Sequence, residues 1–242
     1  MQSREPIFNV PGALVAVLAV LFAVHLVRLL LSDIADAELV LAMAFIPARY
    51  SGMAAELPGA PFAAATSFLT HMLVHADLTH LGFNAAWLLA FGGAIARRAG
   101  GVRFLAIACL TGIAGILLFW VMNPGLLAPV VGASGAVAGL MGATMRFLFS
   151  ALDDGGIRQL REAPETVRRM GVLEALSDRR VQMTTLVWLL LNALAVFGLG
   201  GGPERSGIAW EAHIGGYLAG LLGFGLLDRQ DPRPVERLPE TL

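Results

Sequence analysis

From Gly12 to Leu31 the chain runs twenty residues with only two polar side chains, His25 and Arg28. As a helix, about 20 apolar residues match the hydrocarbon thickness of a bilayer. Five further apolar runs follow, at roughly 78–96, 104–122, 134–149, 183–199 and 208–227. No water reaches the bilayer core to satisfy backbone N–H and C=O groups, so such runs must be helical. Composition agrees. Hydrophobic residues make up 57% of the chain and charged residues 14%, where a soluble protein carries about a quarter charged. Mean hydropathy is +0.71. The expectation is an all-α polytopic membrane protein, one membrane domain over 1–242, with six transmembrane helices. Ala35-Asp36-Ala37 has the form of a signal-cleavage site. The apolar core before it exceeds the usual 7–15 or so residues of a signal peptide, so the first run reads as a retained helix.

Arginine placement sets an expected orientation. The chain has no lysine, and all 17 basic residues are arginine. Fourteen fall on one side of the predicted bundle, including Arg97, Arg98, Arg103, Arg146 and the six between Arg158 and Arg180. Only Arg28, Arg49 and Arg205 fall on the other. Short loops rich in arginine stay in the cytoplasm, which predicts cytoplasmic tails at 1–11 and 228–242. The starts of spans two, four and six then face outward. Net charge is −1, which gives no bulk attraction to nucleic acid.

Between the spans, residues 33–67 read as a long outer loop. Its apolar patch, Leu39 to Ala48, is too short to cross a bilayer and suits an interfacial or re-entrant segment. The stretch 153–180 mixes six acids with six arginines and reads as a solvated loop. No fixed-period repeat occurs. Cys109, the single cysteine, reads as packing and forms no intrachain disulfide. Trp87, Trp120, Trp188 and Trp210 read as core or interface anchors, and His25 with Arg28 as an interfacial or snorkelling pair.

Polar groups at membrane depth are costly and often functional. "THMLVHADLTHLGFNAAW" carries His71, His75, His80 and Asn84, with 71/75 and 80/84 each four apart as on one helix face. "WEAHIGGYLAG" places His213 in the first turns of span six, and Ser134 opens span four in "VVGASGAVAGLMG". Three spans therefore present polar groups at one outward level. Small residues recur every four positions in Gly135–Gly139 and Gly216–Gly220, a pattern that lets helix backbones approach closely in lipid. Packed along those seams, spans four and six bring Ser134 within reach of His213.

That pair has a chemistry. A serine hydroxyl needs a base to become nucleophilic, and imidazole titrates near neutral pH. Acyl transfer also needs donors for the developing oxyanion. Unpaired N–H groups at the start of span four, including that of Ser134, could supply them, as could the Asn84 amide and the His80 ring. Glu211 lies two residues before His213, on roughly the opposite face. The residues therefore read as a Ser134–His213 dyad without a third acid.

These motifs resemble the rhomboid family of intramembrane serine proteases. The matching residues are G-x-S-G at Gly132–Gly135, H-x3-H-x4-H-x3-N at His71–Asn84 and A-H-x2-G-x3-G at Ala212–Gly220. Their order and the six-helix plan are similar over about residues 65–227. The resemblance implies Ser134 as nucleophile, His213 as general base, and His80, Asn84 and the Ser134 N–H as oxyanion donors. It also implies that His75 lines a polar, water-admitting cavity; for His71, cavity lining and structural hydrogen bonding both stay open. The implied reaction is hydrolysis of transmembrane protein substrates near the outer face, without metal or cofactor. The all-arginine basic set and compact length suit a prokaryotic plasma membrane. Two positions depart from the family pattern. Ala138 stands where many members carry an aromatic residue, and 33–67 lacks their Trp-Arg pair.

Three other functions compete. His71 and His75 suggest a metalloprotease, but "HMLVH" lacks the glutamate of H-E-x-x-H. Intramembrane histidines suit a proton-relay transporter, which typically shows inverted repeats and broken mid-membrane helices. A rhomboid-like client-binding protein without protease activity typically lacks the serine or the histidine. Oligomeric state is not set by the sequence.

Overall fold

The computed structural model describes residues 10–51, 57–154, 156–196 and 209–228. Of the expected tails at 1–11 and 228–242, residues 1–9 and 229–242, with Arg4, Arg229, Arg233 and Arg237, lie outside these residues. So do Arg205 and the expected span ends at 197–199 and 208.

Helix α1 (Gly12–Leu29) shows most of its apolar surface outward, as a helix bathed in lipid does. The Ser32 hydroxyl caps α2 (Asp33–Met43) by accepting from the Ala35 N–H. The chain then extends, and Phe45 exchanges two backbone hydrogen bonds with Val130 (3.0 and 2.8 Å). Helix α3 (Phe62–Thr70) tightens into a 3₁₀ turn at His71–Leu73. The Asp77 carboxylate caps α4 (Leu78–Trp87) by accepting from the His80 N–H at 2.8 Å. A π turn at Leu88–Gly92 carries α4 into α5 (Gly93–Ala99), making one span from Leu78 to Ala99. Gly100, at φ 84°, ends it and starts α6 (Gly101–Met122). Then come α7 (Ser134–Met145), α8 (Leu148–Asp154), α9 (Gly156–Glu162), α10 (Val172–Ser177), α11 (Arg179–Val196) and α12 (Trp210–Gly223).

The result is an all-α polytopic membrane bundle. Among the described residues, α1, the α4–α5 span and α6 are long and apolar enough to cross a bilayer; α7 is apolar but shorter.

Helix α7 is the axis of the bundle, and every residue from Gly135 to Met145 is buried. Its small residues, Gly135, Ala136, Ala138, Gly139, Gly142 and Ala143, let neighbouring helices close in around it. Helices α6 and α12 enclose it on glycine seams. A Cβ on Gly216 would collide with the Gly135 carbonyl, and one on Gly220 with the Gly139 carbonyl. In lipid no hydrophobic force draws helices together, so the many weak contacts made at this short separation hold the pair.

At the opposite end from Ser134, charge ties the structure. Arg98 binds Asp228 through two parallel bonds (2.8 and 2.9 Å), with both side chains fully buried. Its third nitrogen donates to the Pro164 and Val167 carbonyls, and the guanidinium lies 4.5 Å from the Phe147 ring centre. Arg146 donates to the carbonyls of Met170 (2.9 Å) and Leu221 (2.7 Å).

Four expectations change here. The stretch 153–180 is not simply solvated: Val167, Met170 and Ala175 are buried in the core, and the arginine-to-carbonyl bonds hold the first two. Several of its charges pair at the surface, as in Arg168–Glu174 and Arg180–Asp153. Asp228 belongs to the fold and not to a tail, because its carboxylate neutralises the buried Arg98. Arg28 does not snorkel: it binds Asp36 through two bonds (2.7 and 2.9 Å) and donates to the His75 carbonyl, joining α1 to α2 and to the turn before α4. These bonds hold the Asp36 carboxyl below its usual range. The patch Leu39–Ala48 divides into the end of α2, a buried extended stretch whose Phe45 pairs with Val130, and the start of a 3₁₀ turn at Pro47–Tyr50.

Candidate active site

Ser134 is the first residue of α7, and its position is prepared by the segment before it. The Val130–Phe45 bridge anchors that segment, and the Gly132 N–H donates to the His71 carbonyl at 2.8 Å. Gly132 has φ 114°, and a Cβ there would run into the His80 ring. Only glycine suits both the backbone angle and the imidazole packed on it.

On α12, His213 lies three residues before the Gly216 seam. The close approach of α7 and α12 brings His213 Nε2 to 2.7 Å from Ser134 Oγ. Both side chains are partly exposed. The two residues come from elements 79 positions apart in the chain.

The other side of the imidazole holds a residue that sequence reading missed. Asn192 of α11 places its Oδ1 2.6 Å from His213 Nδ1. Its Nδ2 donates to the Trp188 carbonyl at 2.8 Å. The available signal was an amide within an otherwise apolar span, the same cue that singled out Asn84.

The remaining candidates flank Ser134 from α4 and the turn before it. His80 Nδ1 accepts from the Ala76 N–H (3.4 Å), which leaves the ring proton on Nε2 as a donor. Asn84 is buried; its amide donates to the His80 carbonyl (2.9 Å) and its Oδ1 has no partner. His80 and Asn84 thus share a face of α4. His71 and His75 do not share one, because the helix ends in the 3₁₀ turn between them.

His71 is buried and bonds through Nδ1 to the Ser67 carbonyl at 2.8 Å. His75 is 1% exposed, packs 5.1 Å from the His80 ring, and accepts from the Ala133 N–H at 3.4 Å. That bond engages one N–H next to the helix start. Glu211 faces away from His213 and accepts from Asn123 at 3.0 Å, joining α12 to the end of α6.

Such an arrangement defines an integral membrane protein with a serine–histidine pair set at one end of its central helix. Residues 63–229 match the Rhomboid domain, and the chain belongs to the rhomboid family. It is 29% identical over 159 residues to the rhomboid protease GluP of Bacillus subtilis, covering 66% of this chain and 25% of that protein. It is 27% identical over 164 residues to the rhomboid protease AarA of Providencia stuartii, covering 62% of this chain and 52% of that one. The chain therefore spans a quarter to a half of the length of these relatives.

Proposed function

We propose that the protein is an intramembrane serine endopeptidase that hydrolyses peptide bonds of transmembrane protein substrates near the outer membrane face. The observation that carries this reading is the 2.7 Å contact between Ser134 Oγ and His213 Nε2. His213 takes the hydroxyl proton as Oγ attacks the substrate carbonyl carbon. The carbonyl oxygen becomes an oxyanion, and the Ser134 N–H, His80 Nε2–H and the Asn84 amide are its donors. The C–N bond then breaks, and His213 returns the proton to the leaving amine. Water, deprotonated by His213, attacks the acyl-serine carbonyl carbon; the C–Oγ bond breaks, His213 returns the proton to Oγ, and the acid product leaves.

His75 lies beside the donors and supports the approach of the first turn of α7. His71 holds Gly132 through its own carbonyl. The first-turn amides of α7 add a positive helix end where the oxyanion forms. Arginine placement supports cytoplasmic termini, which puts the Ser134 end outside, and the bacterial relatives support a prokaryotic plasma membrane.

The test is cleavage of a model transmembrane substrate by purified protein in liposomes. Wild-type protein is expected to cleave, and Ser134→Ala and His213→Ala to fall to background while folding normally. Unchanged cleavage by either folded variant removes the dyad. A wild-type protein that binds substrates without cleaving them favours a client-binding role.

A further inference from the structure

Three side chains of α11, Thr185, Trp188 and Asn192, fall on one helix face at spacings of three and four. All three meet α12. The Thr185 hydroxyl shares a hydrogen bond with the Tyr217 hydroxyl. Trp188 stacks on the Tyr217 ring, with centres 5.0 Å apart and planes at 23°. Asn192 reaches His213, one turn before Tyr217, at 2.6 Å.

The orientation of the Asn192 amide follows from its partners. The Trp188 carbonyl can only accept, so the NH₂ group of Asn192 faces it and Oδ1 faces the imidazole. Oδ1 can only accept, so His213 Nδ1 carries the ring proton and donates it. In the neutral ring Nε2 is then a bare lone pair, and it is the atom 2.7 Å from the Ser134 hydroxyl. The Trp188 carbonyl, Asn192, His213 and Ser134 therefore form one directional chain of hydrogen bonds.

We propose that Asn192 is the positioning residue of His213, so that the protein works through a Ser134–His213–Asn192 array and not through a dyad alone. Asn192 selects the imidazole tautomer that can accept the serine proton. It also holds the ring plane toward Ser134, and its carbonyl dipole stabilises the imidazolium formed as that proton moves. Ala138, one turn after Ser134 on α7, is no obstacle to this arrangement. Ala138 is small, and it lies in the same apolar cluster as Tyr217, with Trp188 packed against it. This inference rests on the assignment of Ser134 and His213 as nucleophile and base.

The experiment compares Asn192→Ala, Asn192→Leu, Asn192→Asp and Tyr217→Phe with wild type, and includes Ser134→Ala and His213→Ala. Two rates are read in liposomes: substrate cleavage, and labelling of Ser134 by a fluorophosphonate, which reports serine activation without substrate docking. Thermal melting reports folding.

Asn192→Ala and Asn192→Leu are expected to lower kcat and the labelling rate about 10- to 100-fold, with KM changed less than about threefold. Asn192→Asp keeps an acceptor oxygen and is expected to recover to within about threefold of wild type. Tyr217→Phe loosens the same helix seam without touching the imidazole, and is expected to label at the wild-type rate.

Wild-type rates in folded Asn192→Ala or Asn192→Leu overturn the proposal. So does an Asn192→Asp variant as slow as Asn192→Ala, and so does equal slowing by Tyr217→Phe, which assigns the effect to the seam. Dead Ser134 and His213 variants beside unaffected Asn192 variants sink the positioning role alone. An active His213→Ala variant sinks the dyad beneath it.

Discussion

The two ends of the bundle are held by different physics. At the arginine end, Arg98 and Arg146 direct charged donors to a carboxylate and to four backbone carbonyls, with both side chains buried. Charge-assisted bonds of this kind are short and strong, and they fasten residues 164–170 and Asp228 to the helices. At the serine end the side chains around the Ser134–His213 pair are of another kind: a hydroxyl, four imidazoles and two amides. Several valences there are left open, including Asn84 Oδ1 and His75 Nδ1. A saturated ion pair stabilises but has no proton to move. Neutral hydrogen bonds with spare capacity stabilise little, and they leave atoms able to accept or donate when charge develops. The glycine seams between α7 and α12 let the weaker end keep its geometry.

The comparison breaks if the serine-end side chains turn out to support the fold. Ser134→Ala and His213→Ala are expected to lose at least about 10³-fold in kcat, with unchanged melting. Replacing Asn84 by Ala is expected to reduce kcat by about 10²- to 10³-fold through loss of an oxyanion donor, again with little change in melting.

Asp228→Ala tests the other end. Removing one partner of a buried pair is expected to cost about 3–5 kcal/mol, read by thermal melting in detergent. The kcat of molecules that remain folded is expected to stay within about twofold; a large fall would show that the two ends are coupled. Gly220→Ala tests the seam that joins them. Its methyl would meet the Gly139 carbonyl, an overpacking expected to cost about 1–3 kcal/mol and to slow Ser134 labelling by displacing His213.

The smallest effect is expected at Asp36. Its salt bridge with Arg28 is partly exposed and should contribute under about 1 kcal/mol. The hydrogen bonds from Arg28 lower the Asp36 pKa, so the contribution is present above the unfolded carboxylate range and lost as pH falls through the lower folded value. Melting of wild type and Asp36→Asn should therefore differ near neutral pH and converge in acid.

Much of the fold was legible because lipid imposes strict rules on sequence. Runs such as 12–31 had to be helices, and Gly135–Gly139 and Gly216–Gly220 had to be places of close approach. Ser134 at a helix start and His213 in the first turns of another were legible for the same reason. The helical register across His71 and His75 was not, because the chain tightens and breaks there to deliver the His71 carbonyl to Gly132. The arginine-rich stretch 153–180 misled as well. Its charges fit a solvated loop, while its few apolar residues, Val167, Met170 and Ala175, decide where it sits.

By itself, the sequence determined the class of the molecule, the shared level of its polar groups and the motifs of its family. Hydropathy, helical period and small-residue spacing are local properties that a single chain displays. The tertiary structure decided the partners: Arg98 with Asp228, 130 positions apart, and Asn192 with His213, 21 apart. A hydrogen bond depends on distance and direction between atoms, and one-dimensional order carries neither for residues on different helices.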